Sequence, residues 1–453
     1  MNILCSRMLL FAWLLPFSAL AEPAQSALST VQPTHEFTLS NGLRVVVRED
    51  HRAPVVTSQL WFKVGSADEP PGQSGLSHAL EHMLFKGSSK LCAGEASSIF
   101  DTLGIAQNAF TDKDVTTYYQ TLLPHQLGVS FEVLADMMST AHLRAEDFVP
   151  ELAVIQAERR LRVDDDFNAT AQHHLNSLAY PASSYGAPII GWMHDLQRMN
   201  AAELRDWYQA RYAPGNATLV IVGDVTLERV KPLVERYFGV LPAKPFVTTR
   251  TVLELAEPGE RRIILHQPIA APRLLMAFNV PSFGTAQNQR TVHALTLLST
   301  LLAGSDSSRV RKRLQFGERL FSATTSEYNA LFRGDSLFTL DAELHTRQTI
   351  SLDEAEKRIW QLLDEFKTNP PGAEELERAR TQLIAKRLYG RDAIEDQADR
   401  LGSFESIGVS WREMDDEVNQ LKQVTPEDIQ QAAATYFTRQ RLSTAHVLVG
   451  AQP

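Results

Sequence analysis

Residues 77–82 read Ser-His-Ala-Leu-Glu-His. Two imidazoles and a carboxylate within five positions suit one kind of chemistry: holding a divalent metal and moving a proton beside it. The stretch 75–86 has no internal breaker, and Leu76, Ala79, Leu80, Met83 and Leu84 recur at helical spacing, which predicts a helix with one apolar face. On that helix His78 and His82 stand at i and i+4, so their rings lie one above the other. Both ring nitrogens can then reach about 2 Å from one ion. Glu81 sits one residue off that line. It can touch a water beside the ion, and general base is a better role for it than ligand. The competing reading is three polar residues on a solvated helix face.

A zinc site needs a third protein ligand and an open fourth position. The run that starts at Glu151, E-L-A-V-I-Q-A-E-R-R-L, supplies candidates. Glu151 and Glu158 are seven apart, two turns along one helix face, and Leu152 and Ile155 make that helix amphipathic. Acids aligned toward a core would serve a metal; acids aligned toward solvent are commonplace.

These residues must be positioned by a larger scaffold. The chain has 453 residues, 44% hydrophobic and 22% charged, a globular composition long enough for two or more domains. The formal net charge of −10 and the lack of a basic run exclude a nucleic-acid binder. Residues 1–21 read as an export signal: Arg7, a short apolar core over 8–17, and Ala19-Leu20-Ala21 as the cleavage site. That implies a periplasmic location, and no later segment is apolar enough for a membrane span. Cys5 departs with the signal. Cys92 then stands alone, and as a small apolar residue it is expected to be buried.

The segment 37–47 is a strand pair around Asn41-Gly42. Further strands are expected at 55–64, 106–111, 116–123 and 217–223, with helices at 77–86, 95–103, 124–141, 145–163, 201–212 and 227–238. Residues 242–260, with prolines at both ends, read as a linker between a domain at 34–241 and another at 261–450. The second domain repeats the order of the first: strands at 262–266 and 273–279, a helix at 287–303, strands at 322–328 and 336–344, three helices between 353 and 408, and a closing helix and strand. This ending mirrors 199–223. The expected fold class is therefore α+β, with two homologous α/β-sandwich halves forming a clamshell, each a mixed, largely antiparallel sheet with helices. Other histidines, such as His125, His173 and His174, have no ligand spacing. His173 and His174 point apart on a helix and are expected to face solvent.

The motif His78-x-x-Glu81-His82, followed by Glu151-x6-Glu158, resembles the pitrilysin/insulinase family of zinc peptidases, which includes the mitochondrial processing peptidase. The flanks G-L-S-H-A-L-E-H-M-L-F-K-G, the run G-I-A-Q-N-A-F-T-D-K-D-V-T-T-Y-Y from Gly104 and the run Y-A-P-G-N-A-T-L-V-I-V-G-D from Tyr212 are also similar to that family. The resemblance implies one Zn2+ per chain held by His78, His82 and Glu158. It implies that Glu81 activates the zinc-bound water for attack on a peptide bond and that Glu151 orients a ligating histidine. It also implies that an edge strand carrying Asn108, Ala109 and Phe110 pairs with an extended peptide substrate. The substrates would be short or unfolded peptides.

One departure bears on partners. Many family members carry an Arg and, seven positions later, a Tyr in the second half, where they steady the substrate carbonyl and the oxyanion. Here the matching positions are Gln315 and Ser322. The resemblance then implies a homologous subunit that supplies the Arg/Tyr pair in a heterodimer, or a homodimer in which Gln315 serves as a weaker donor. A member that has lost catalysis and acts as a peptide-binding or scaffold subunit is the alternative.

Overall fold

The computed structural model describes residues 32–248 and 253–450, and the export-signal assignment lies outside these residues. Residues Pro33–Pro453 form one compact unit. Six strands, β1 (Thr34–Thr38), β2 (Arg44–Glu49), β3 (Val56–Phe62), β4 (Ala106–Thr111), β5 (Thr116–Leu122) and β6 (Ala217–Gly223), make a sheet in the order β1-β2-β6-β3-β5-β4. Five more, β7 (Arg261–Gln267), β8 (Arg273–Val280), β9 (Phe321–Tyr328), β10 (Ser336–Leu344) and β11 (Leu442–Val449), make a second sheet in the order β7-β11-β8-β10-β9.

The two orders superimpose strand for strand once β1 is set aside. In each sheet the last strand in sequence enters beside the first of the repeat in parallel, as β6 beside β2 and β11 beside β7, and every other pairing is antiparallel. The halves are thus homologous mixed α/β units. Their closing segments also begin alike: Asn200 and Thr425 each cap the helix that follows through a reciprocal box with the residue three positions on.

Every residue of β3 and β6 is buried, including Thr57, Ser58 and Gln59. A strand buried on both faces needs two covers. Side-chain alternation assigns them. Leu60, Phe62, Leu219 and Ile221 point to a core made with the first half's own helices. Trp61, Val220 and Val222 point the other way, onto Ala398, Leu401 and Phe404 of the helix Ile394–Ser406, which belongs to the second half. The exchange is reciprocal. Leu275, Ala277, Ala445 and Val447 of the second sheet pack on Ala171, Leu175 and Ala179 of the helix Phe167–Ala179, which belongs to the first. Each half therefore lends one helix to the outer face of its neighbour's sheet. The Trp61 indole lies so close to Gly402 that a Cβ there would stand 2.0 Å from the ring.

Candidate metal centre

The helix Leu76–Leu84 carries the motif. Leu76, Ala79, Leu80, Met83 and Leu84 are buried in the first core, which turns His78, Glu81 and His82 to the opposite side. Its N-cap is Gly75 at φ 92°, a residue with no side chain to cap the helix. Glu69 does so instead, accepting the N–H of Gly75 and of Ser77 at 2.7 Å each. Gly75 cannot be larger: a Cβ there would meet the Ile190 carbonyl oxygen at 2.7 Å.

The helix Ala145–Arg159 brings the acids, anchored by buried Phe148 and Ile155. It continues into a widened π-helical turn, Arg160–Asp164. Just before the turn, buried Arg159 donates to the Gly191 carbonyl and pairs with Asp164 at 3.1 Å, tying the helix end to the loop beside Gly75.

The residues meet as their spacing suggested. The His78 and His82 ring centroids are 4.7 Å apart. Glu158 Oε2 lies 3.4 Å from His82 Nε2 and 3.8 Å from His78 Nε2. Ligand atoms from the three residues lie within 4.8 Å of one another. Two ligands at ~2.0–2.1 Å from one ion and a tetrahedral angle apart stand roughly 3.3–3.4 Å from each other, so the cluster is of the size a zinc ion needs. Burial pushes the His78 imidazole down to about 3, helped by the neighbouring His82 and Arg162, and leaves it neutral with a lone pair free to ligate. Glu151 accepts from His82 Nδ1 at 2.9 Å, on the far side of the ring from Glu158. Burial alone would raise the Glu151 carboxyl, but Lys86 and His82 together hold it below the usual range.

Glu81 accepts the Thr111 hydroxyl at 2.5 Å. Burial raises its carboxyl, outweighing that hydrogen bond and the nearby His82, with Glu158 adding to the rise. Thr111 ends β4, the edge strand of its sheet. Asn108, Ala109 and Phe110 precede it, and all four line the same cavity of about 900 Å³ as the metal cluster. The three differ in direction. Ala109 packs on the core beneath the motif helix, whereas Phe110 sets its ring edge-on against Trp61 at 5.5 Å.

Two expectations are corrected. His173 does not face solvent. It is half-buried and lines the metal cavity with Asn176, because its helix covers the second sheet with one face and closes the cavity with another. Burial pushes its imidazole down to about 4. His174 is exposed as expected. Cys92 is exposed, not buried, because it falls in the loop between two helices rather than on a packed face. Spacing alone also missed Glu69, Lys86, Thr111 and Arg162. Two of them left a positional signal: Lys86 at i+4 from His82 and Arg162 at i+4 from Glu158.

Among the described residues, all those that line the cavity fall between His78 and Ile190. Gln315 is occupied within the second half: its amide donates to the Ser322 carbonyl at 3.2 Å and accepts from Thr324 at 3.0 Å. Among the described residues no helix is long and apolar enough to cross a membrane.

The family model described as insulinase (peptidase family M16) matches residues 44–191, and that of the peptidase M16 inactive domain matches 198–383. The chain belongs to the insulinase (M16) peptidase family. The zinc protease PqqE of Helicobacter pylori is 29% identical over 371 residues, 81% of this chain and 82% of that one. The uncharacterized zinc protease YmxG of Bacillus subtilis is 27% identical over 89% of this chain and 95% of its own. The structure of a protease from Helicobacter pylori superimposes with a TM-score of 0.85 at 26% identity, over 92% of this chain and all of that one. The periplasmic protease PqqL of Escherichia coli shares the fold alone, with a TM-score of 0.77 at 19% identity. It covers 93% of this chain but only 49% of its own length.

Proposed function

We propose that this chain is a zinc-dependent peptidase acting on short or unfolded peptides, with His78, His82 and Glu158 as the ligands of one zinc ion and Glu81 as the proton carrier. The observation that supports it most is the convergence of two imidazole Nε2 atoms and one carboxylate oxygen, within 4.8 Å, on the wall of a large cavity. A zinc ion there would acidify a water and polarise a peptide carbonyl. The chain's own residues do the rest. Thr111 fixes the Glu81 carboxylate. Glu81 takes the proton from the attacking water, and its raised proton affinity lets it hold that proton until the leaving amine accepts it. The free edge of β4 offers backbone groups to an extended peptide, which favours unfolded substrates.

The one-sided lining of the cavity and the internal engagement of Gln315 support a two-chain enzyme, in which a homologous subunit or a second copy supplies the oxyanion donors. The reading of residues 1–21 as an export signal supports a periplasmic location. The same engagement of Gln315 favours, as second reading, a subunit that binds peptides without cutting them.

The test is cleavage of a quenched fluorescent library of unfolded peptides by the zinc-loaded chain. Turnover that falls at least ~10²-fold in Glu81→Gln supports the peptidase reading. Equal turnover in both would sink the role of Glu81. Peptide binding without turnover, with zinc bound, would favour the second reading or an obligate partner, and adding a homologous chain decides between these two.

A further inference from the structure

The two acids near the cluster share an arrangement that their spacing does not explain. Each uses one oxygen toward a histidine and the other toward a cation. Glu151 accepts His82 Nδ1 on Oε1, while Lys86 Nζ holds Oε2 at 2.5 Å. Glu158 turns Oε2 toward both Nε2 atoms, while Arg162 Nη1 holds Oε1 at 3.1 Å. A carboxylate on a flexible stem rotates freely about its last bond. A cation fixed on the outer oxygen removes that freedom and aims the inner one. We propose that Lys86 and Arg162 are positioning residues of the metal centre, each locking the orientation of one carboxylate: Lys86 acts on His82 through Glu151, and Arg162 acts on Glu158 directly. This rests on the zinc reading above.

The chain's design makes the two arms unequal. Lys86 lies one turn beyond His82, just past the C-cap of the motif helix, so one short segment supplies both the ligand and the cation that steadies its acid partner. Its side chain is 34% exposed and Glu151 only 12%, so their contact is partly shielded from water. Arg162 is 74% exposed and rides on the π-helical turn, where solvent and salt weaken its hold. Outer partners of metal ligands typically change affinity about 10–100-fold. The Lys86 arm should reach that range and the Arg162 arm should fall below it.

The experiment is zinc affinity of the full chain, measured by competition with a chromophoric chelator, with circular dichroism to verify folding. The variants are Lys86→Met, Lys86→Gln, Lys86→Arg, Glu151→Gln, Arg162→Met and the double variant Lys86→Met/Glu151→Gln. Lys86→Met and Glu151→Gln should each raise Kd ~10-fold or more. The double variant should be no weaker than Glu151→Gln alone, because Lys86 acts only through that acid. Lys86→Arg should recover affinity to within about threefold, since a guanidinium also bridges to a carboxylate. Arg162→Met should shift Kd by less than about threefold, and less still in 0.5 M salt. If both Lys86→Met and Lys86→Gln leave Kd within about twofold, or if the two single effects multiply in the double variant, the Lys86 arm is overturned. A larger effect of Arg162→Met than of Lys86→Met overturns the ranking. Failure of the unmodified chain to bind zinc overturns the zinc reading and this one together, which sets that outcome apart from failure of the relay alone.

Discussion

Glu69→Ala is the most informative single perturbation of the scaffold, because Glu69 touches neither the metal cluster nor a residue that lines its cavity. Its carboxylate accepts two backbone N–H groups, from the N-cap and second positions of the motif helix, at 2.7 Å each. Gly75 has no side chain to replace it. Losing an ordinary cap costs about 0.5–2 kcal/mol. Burial pushes the Glu69 carboxyl up to about 8, against the pull of these two N–H groups, so near neutral pH its bonds count as ordinary ones of about 0.5–1.5 kcal/mol each. Two such bonds together give ~1–3 kcal/mol, in line with the cap range. Glu69→Gln should cost about half as much, since its amide can accept one N–H but turns a donor toward the other. Hydrogen exchange of the first-turn amides, over 76–79, reads the effect locally. At tenfold per ~1.4 kcal/mol, their protection should fall roughly 5-fold to 100-fold. Urea unfolding should show the same loss globally if the helix opens only with the whole chain. Protection and unfolding free energy within about 0.5 kcal/mol of the unmodified chain would refute the capping role.

Four further outcomes follow from the same geometry. Gly402→Ala would drive a methyl into the Trp61 ring, where a Cβ stands 2.0 Å from a ring atom, and should cost at least ~1–3 kcal/mol in urea unfolding. Arg333→Met would strand Asp68 and Asp114, both buried and held at 2.7 and 2.9 Å, and should cost about 3–5 kcal/mol by the same measurement. His173 is lowered to about 4 by burial, so between its ordinary value of 6.5 and that value the unfolded chain binds the extra proton. Stability is then complete above about pH 6.5 and is lost as pH falls toward 4, by ~1–2 kcal/mol after solvent screening of a half-exposed ring. His173→Gln should flatten a denaturation series across that window. Zinc at about 100 times its Kd should stabilise the unmodified chain by ~2.7 kcal/mol, read as a thermal shift that a chelator reverses and His82→Ala abolishes.

Much of the site was legible because it is local. Two histidines four apart and two acids seven apart already share faces on any helix, so the sequence needed only to form those helices. The strands of the second half were legible for a similar reason, as a repeat of a pattern already read in the first. What was not legible depends on distant neighbours. Thr57 and Gln59 look like the polar side of a half-exposed strand, yet both are buried, because a helix more than 300 residues away covers that face. His173 and His174 do point apart, as their spacing requires. No local rule told which of the two faced the cavity, since the helix that carries them is packed on the other half's sheet. Lys86 stood in plain view beside the motif, but its partner Glu151 is on another helix, and only the fold brings them together.

Among the described residues the second half contributes no side chain to the metal cavity, yet the cavity depends on it at two points. Arg333 reaches from the second half to Asp114, in the turn that joins β4 to β5, through its guanidinium at 2.9 Å and its backbone N–H at 2.8 Å. Tyr185, beside the cavity wall, donates to the same aspartate at 2.7 Å, and its oxygen accepts the Gly334 N–H at 2.8 Å. That turn fixes the end of β4, where Thr111 holds Glu81. The second sheet also supports the helix that brings His173 and Asn176 to the cavity. An edge strand has only one sheet neighbour to hold it, so an anchor at its end decides where its free edge lies. A half that matches an inactive-domain model can therefore matter to the site without any residue in it, by setting the position of the strand that carries the support of Glu81.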